Sequence, residues 1–245
     1  MTTLPVFLVA RLPDTDDAVL DGPEGRHAAA VRRLRAGESL VLSDGSGGLA
    51  RCVVDTVDRD SVGLVVQRRW TEPRPQPRVV LAQALVKGDR GELAVELATE
   101  AGVDEVLPWR AQRCVARWED GPRGDKALAR WRTTAREAAK QARRAWCPSV
   151  GEPVDTSALA VRAGQAELAV VLHESASRGL VDVPMPASGD LLLVVGPEGG
   201  ITDGELETLA AAGALPVRLG PTVLRASTAA AVALGALGAL TRRWQ

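Results

Sequence analysis

The stretch LLLVVGPEGGITDGELE, residues 191–207, decides how this chain is read. An apolar run of strand length stops at Gly196, three glycines, one proline and one carboxylate follow within five positions, and a helix start comes next. An apolar run without polar alternation is what a strand covered on both faces requires, and such strands belong to parallel sheets packed between helices. The same rhythm surrounds it: VVLAQAL, a helical GELAVELATEAG, DEVLPW, a long helix near 124–145, LAVVLHE, then after residues 191–207 the strand PVRLG and a terminal helix from about Ser227. This predicts an α/β domain with a parallel sheet over residues 79–245, with ligands bound beyond the carboxyl ends of the strands.

Working outward, residues 4–70 read as short strands separated by turns (VFLVARL, SLVLSDGSGG, ARCVVDTV, SVGLVVQRRW), with one helical candidate at GRHAAAVRRLR. They predict a small β-rich domain over residues 1–72. Pro73, Pro75 and Pro77 alternate in TEPRPQPR, which no central strand tolerates, so residues 73–78 are read as an extended linker. The last helix, ASTAAAVALGALGAL, is apolar on nearly every face but shorter than the roughly 20 residues of a membrane span. Its small residues predict burial inside the protein or in a subunit interface, and no membrane association.

The chain has 245 residues, 46% of them hydrophobic, enough for a substantial core. A net charge of −1 gives no global attraction to nucleic acid, so any such binding needs a local patch. Residues 110–146 supply one, with eleven Arg or Lys against four Asp or Glu. Cys52, Cys114 and Cys147 are dispersed, His27 and His173 are the two histidines, and no metal-ligand spacing occurs; neither a disulfide framework nor a metal site is predicted. The start lacks a basic segment followed by an apolar one, so the expected location is cytoplasmic.

Three strand ends carry chemistry. GPEGG contains neither a dinucleotide fingerprint nor a Walker A pattern, but its glycines let backbone amides and carbonyls reach a planar base or ribose, while Glu198 adds an acceptor. It is equally readable as a strand-to-helix turn with Thr202 or Asp203 as the N-cap. LGPTVLRAST, residues 219–228, is a second Gly-Pro loop before a helix, and Arg225 within it is either a surface ion-pair partner or a clamp for oxygen or phosphate. LHES places His173 and Glu174 at a third strand end, where the histidine is a packed strand terminus or a base.

VVGPEGGITDGELE and LGPTVLRASTAAAVAL resemble the signature loops of the ribosomal RNA uracil-N3 methyltransferase family, in the SPOUT superfamily. The stretch around Lys87, Gly88 and 99–103, the helix with Glu137, Gln141 and Arg144, and RHAAAVRRLRAGESLVLSDGSGG are similar to further parts of the family, so the resemblance covers essentially the whole chain. Ser227, Leu97 and Ala101 stand where the family usually has glutamate, a basic residue and leucine. The resemblance implies a PUA-like RNA-binding β-barrel followed by a trefoil-knotted methyltransferase domain acting as a homodimer. It implies S-adenosylmethionine held by Leu172, His173 and Glu174, by Gly196, Pro197, Glu198, Gly199 and Gly200, and by Leu219, Gly220 and Leu224.

The implied reaction is methylation of uracil N3 in 16S rRNA or the small ribosomal subunit. Arg225 is expected to stabilise negative charge on the base, and Glu198 either to receive the N3 proton or to orient the loop. Arg11, His27, Arg32, Arg33, Arg35, Lys87, Arg136, Lys140, Arg143 and Arg144 are the expected RNA contacts. A non-catalytic RNA-binding assembly factor on the same fold would have damaged glycine loops, whereas Gly196, Gly199, Gly200 and Gly220 are present. A nucleotide-dependent oxidoreductase would need a glycine fingerprint after the first α/β strand, and VVLAQALVKGDRG has none.

Overall fold

Alternation of inward and outward residues along Val62–Thr71, with Val62, Leu64 and Val66 buried and Val65 and Gln67 exposed, shows how the first sheet is made. The computed structural model describes residues 4–244, so the first three residues used in reading the chain's start lie outside it. The chain divides into two compact units, one running to Arg74 and including Ala139–Cys147, the other Pro75–Ala138 with the residues after Cys147.

The first unit holds β1 (Val6–Leu8), β2 (Asp17–Leu20), α1 (Gly22–Arg26), β3 (Ser39–Ser43), β4 (Gly48–Val57) and β5 (Val62–Thr71). The sheet order is β1-β3-β4-β5-β2, antiparallel except for β1 with β3. Phe7, Leu40, Leu42, Ala50, Cys52, Val54 and Leu64 fill its core. Burying one such Leu or Phe contributes about 1.5–3 kcal/mol. α1 passes into a wider π-helical turn, His27–Val31, beginning earlier than the predicted helical stretch. The short edge strand β2 is not among the predicted strands, because DAVL buries one residue fully and carries little periodic signal.

The second unit contains β6 (Arg78–Ala84), α2 (Arg90–Glu100), β7 (Glu105–Trp109), most of α3 (Pro122–Gln141, whose residues from Ala139 belong to the first unit), β8 (Ser149–Val150), α4 (Thr156–Gln165), β9 (Leu168–Leu172), β10 (Asp190–Val195), α5 (Asp203–Ala211), β11 (Leu215–Val217) and α6 (Ala226–Leu240). Its six strands are all parallel, in the order β11-β9-β10-β6-β7-β8. The continuous apolar strands split by residue parity. Val79, Leu81, Leu191, Leu193 and Val195 meet Val95, Ala98, Trp131, Ala230 and Leu234 on one face. Val80, Ala82, Leu192 and Val194 meet Leu159, Ala163 and Leu209 on the other.

α6 buries Ala229, Ala230, Ala233, Leu234 and Leu237 in this unit and packs along α2. Among the described residues no helix is long and apolar enough to cross a membrane, and no group of His, Cys, Asp and Glu is arranged to hold a metal. The register pairs Val195 with Gln83, Val194 with Val171, and Val217 with Leu172, so the loops after β6, β9, β10 and β11 emerge on one edge.

Candidate functional site

The loops at that edge enclose a cavity of about 530 Å³, within the range that holds a nucleoside-sized ligand. Leu172, His173 and Glu174 line it from the end of β9, and residues 196–200 from the end of β10. Leu219, Gly220, Leu224 and Arg225 line it from the segment after β11. The structure therefore brings together every residue expected at the cofactor and catalytic positions. Val86, Val195, Ile201 and Ala229 add apolar wall.

The glycine-rich loop is held firmly. Gly200 N–H donates to Pro197 O at 2.9 Å, closing a turn with Gly200 at φ +76°. A Cβ on Gly196 would lie 2.7 Å from Ile201 Cγ1, and one on Gly199 3.0 Å from Arg113 Cβ. Thr202 is the N-cap of α5, in a capping box with Glu205, an arrangement worth about 1 kcal/mol. Glu198 Oε1 accepts from the Lys87 N–H at 3.4 Å and lies 3.8 Å from Arg90 Nη1. Lys87 thus reaches the site through its backbone, while its side chain is exposed.

The segment after β11 is different. Arg225 is exposed at the start of α6, and its side chain caps nothing and makes no hydrogen bond or ion pair among the described residues. Its carbonyl accepts from the N–H groups of Thr228 and Ala229 at 2.9 Å each, which fixes its backbone. Ser227, standing where the resemblance has glutamate, is buried in the cavity wall. His173 Nδ1 lies 2.9 Å from Ser175 Oγ, a bond within its own loop.

Arg90, Arg113 and Arg218 also line the cavity and are absent from the predicted site. With Arg225 they set four guanidinium groups against the carboxylates of Glu174 and Glu198, a balance suited to an anionic ligand. Arg90 opens α2, Arg113 follows β7, and Arg218 shares the segment after β11 with Arg225. Cys114, nearby in sequence to Arg113, is pushed up to about 11 by burial, opposed by backbone hydrogen bonds, so its thiol is inert at neutral pH.

The expected RNA contacts separate into exposed and buried groups. In the first unit Arg32, Arg33, Arg35 and Arg143 are exposed, Arg144 is half-buried, and Arg11 is exposed beside Asp14 at 2.8 Å. Arg33 and Arg143 are the non-glycine residues with positive φ among those described, at +53° and +56°. Arg143 ends α3 with a Schellman turn, Arg144 N–H to Ala139 O and its own N–H to Lys140 O, at the position glycine usually takes.

Lys140 corrects the expectation made for it: only 6% of the residue is exposed, and Nζ pairs with Glu24 Oε1 at 2.9 Å. His27 is half-buried beside the same ammonium, 3.4 Å from Nδ1, with its ring edge-on to Phe7. These two are parts of the first unit's packing. In the second unit Arg136 is exposed on α3.

One basic pair emerges only in the structure. The ladder sets Arg51 opposite Arg68 on the outer face of β4 and β5, both exposed and neither in an ion pair among the described residues. Like charges directly opposed weaken a sheet, and the guanidinium of Arg68 also lies 5.6 Å from the Trp70 ring centre.

An all-parallel domain whose strand-end loops enclose a cavity, preceded by a small β-sheet unit, is here the architecture of an RNA methyltransferase. Residues 72–238 match the family described as the RNA methyltransferase domain, and residues 20–67 the one described as the RNA methyltransferase PUA domain. Over 246 positions the sequence is 56% identical to ribosomal RNA small subunit methyltransferase E of Mycobacterium bovis, covering 98% of this chain and 93% of the relative. The protein of the same name from Bacillus subtilis is 31% identical, covering 89% and 88%. The chain belongs to the ribosomal RNA small subunit methyltransferase E family. Among solved structures, a methyltransferase from Legionella pneumophila in complex with SAM has a TM-score of 0.86 at 28% identity, over 98% of this chain and 99% of that one.

Proposed function

We propose that the chain transfers a methyl group from S-adenosylmethionine to N3 of a uridine in 16S rRNA, free or within the small ribosomal subunit. The observation that carries this reading is the cavity at the ends of β9, β10 and β11, with glycine backbone on one side and an unpartnered Arg225 on the other. The residues fit the donor. Leu172, Leu219 and Leu224 offer apolar surface to an adenine ring, and Gly196 and Gly199 bring main chain where a Cβ would collide. On this reading the three loops are those of the SPOUT knot.

When bound, the donor supplies a methyl group attached to a sulfonium. Uracil N3 forms the new bond to that carbon as the carbon–sulfur bond breaks, and the N3 proton must leave. Loss of that proton spreads negative charge over O2 and O4 of the base. On this reading Arg225, held by its backbone and unpaired at its side chain, stabilises this charge, a contribution usually worth about 2.7–4 kcal/mol. Glu198 uses Oε1 to bind the Lys87 amide, which orients the loop; Oε2 is the oxygen left to relay the N3 proton to solvent.

The exposed arginines supply phosphate contacts: Arg32, Arg33, Arg35, Arg143 and the opposed Arg51 and Arg68 on the first unit, and Arg136 and Lys87 on the second. The target base has to be single-stranded or extruded to enter a cavity of this size. We further propose a cytoplasmic homodimer, with Val232 and Leu240 of α6 and Trp244, 44%, 40% and 60% exposed, in its interface. Sedimentation should give twice the chain mass.

The test of the function is calorimetric titration with S-adenosylmethionine and, separately, NAD, followed by mapping of methylated uridines on small-subunit RNA incubated with the protein. Saturable binding of the methyl donor alone, and one new N3-methyluridine, is the expected result. A folded chain that binds neither would favour a fold retained for RNA binding.

A further inference from the structure

Glu205 lies outside the three cavity loops, is 1% exposed, and gathers four donors. Oε1 accepts from Gln112 N–H at 2.8 Å and Thr156 Oγ1 at 3.0 Å; Oε2 accepts from Thr202 N–H at 3.1 Å and Thr202 Oγ1 at 2.9 Å. A capping box needs only the bonds with Thr202. The other two tie the start of α4 and the segment following β7 to the same carboxylate, and Thr156 Oγ1 in turn accepts from Trp109 Nε1 at 3.2 Å.

The residue after Gln112 reaches the cavity. Arg113 Nη1 donates to Gly199 O at 3.3 Å, and Arg113 O lies 3.2 Å from where a Cβ on Gly199 would be. The β7 segment and the glycine loop are therefore in direct contact, with Glu205 beneath the first and Thr202 at the end of the second. Burial alone would push the Glu205 carboxyl up; the bonds from Gln112, Thr202 and Thr156 outweigh it and hold the pKa below the usual carboxylate value.

We propose that the segment after β7 forms, through Arg113, a fourth wall of the methyl-donor site and that Glu205 is the positioning residue that seats this wall against Gly199, so that it governs donor affinity through Arg113. The inference rests on the donor reading given above. Arg225, on the loop after β11, shares no bond with this network, so methyl transfer from bound donor is left largely intact when the wall loosens. Glutamine at position 205 would turn an amide NH2 toward two donors and accept at one oxygen only.

The experiment compares Glu205→Gln, Arg113→Ala, Thr156→Val and the Glu205→Gln/Arg113→Ala double variant in the full chain. It reads the S-adenosylmethionine Kd by calorimetry, and kcat and both KM values by methyl transfer to small-subunit RNA. Each of the first two should weaken donor binding about tenfold, as slight misplacement of a binding wall does, with kcat at saturating donor within about twofold and KM for RNA unchanged. The double variant should lose no more than the worse single, because the two act through one contact. Thr156→Val removes one donor at a residue that does not line the cavity and should raise Kd about threefold, which keeps the test decisive where Glu205→Gln does not fold.

Wild-type affinity in Glu205→Gln or in Thr156→Val overturns the proposal, as does an additive, about hundredfold loss in the double variant. A wild-type chain that does not bind the donor at all is the separate failure of the functional reading.

Discussion

The loop of residues 196–200 and the segment of residues 219–225 both follow a strand of the same parallel sheet, contain Gly-Pro, precede a helix and line the same cavity. They differ in how their polar groups are used. In the first, Gly200 closes on Pro197, Glu198 takes the Lys87 amide, Gly199 O takes Arg113, and Thr202 and Glu205 cap the helix. In the second, no side-chain hydrogen bond or ion pair is formed among the described residues, Val223 is 82% exposed, and Arg225 is without a partner. A loop satisfied by its own protein is preorganised and loses little entropy on binding. A loop with an unpaired guanidinium has its partner still to come, and under the proposed function that partner is the charged form of the base.

The sharpest way to break this contrast is Arg225→Ala. Turnover should fall about 10²–10³-fold, while calorimetry finds the donor bound within about twofold of wild type. Equal loss of binding and turnover would put Arg225 in the donor pocket and make the two loops alike. A smaller effect separates two glycines. Ala at Gly199 would press on Arg113 Cβ and O, held by the Glu205 network, and should weaken the donor about tenfold. Ala at Gly220 meets nothing within 4 Å but must adopt φ +74°, which costs about 1 kcal/mol of stability and should leave donor affinity within about threefold. Equal affinities in the two variants would mean that the first loop is no more fixed than the second.

Much of this contrast is legible in the sequence. Leu191, Leu192 and Leu193 signal a strand covered on both faces because all three are buried, and α6 begins where its small apolar residues do. The three strand-end loops can be assigned to one edge because every strand is parallel. Other features leave no local trace. α4 is a ten-residue helix whose Asp155 cap stands inside an unremarkable polar stretch, and β8 is two residues long. Arg90 and Arg113 reach the cavity because of strand order, which no window of sequence contains, whereas Arg218 stands one position before the loop of residues 219–228. Lys140 illustrates the opposite error: a cation on a helix rich in arginine reads as solvent-facing, and a carboxylate 116 positions away takes it out of solvent.

The side of the site formed by the glycine loop also predicts a pH dependence, through Glu205. Glu205 has its pKa lowered on folding, so its contribution is complete above the unfolded value of about 4.3 and is lost as pH falls through the lower folded value. The melting temperature of the wild type should exceed that of Glu205→Gln by a constant margin above about pH 5, and the margin should close below about pH 4. A margin unchanged down to about pH 3 would show that the shape of residue 205, and not its charge, holds the β7 segment.

The smallest effect extends the same distinction to the first unit, where Lys140 is satisfied by Glu24 and Arg33 and Arg143 are exposed at left-handed backbone positions. Glycine relieves the strain of such a position, about 1–2 kcal/mol, but adds freedom to the unfolded chain, about 0.4–1 kcal/mol, so part of the gain is kept. Arg143→Gly, at the end of α3, should therefore raise stability by a few tenths to about 1 kcal/mol, read from the urea midpoint. If Arg143 is there for RNA, the same variant should bind small-subunit RNA more weakly, and the slope of log affinity against log salt should flatten by about 0.7–0.9, the share of a single neutralised phosphate. Stability and binding would then move in opposite directions, which a residue kept only to terminate a helix cannot produce. Arg33→Gly should behave alike, and an unchanged salt slope in both would leave the two strained positions as features of helix termination alone.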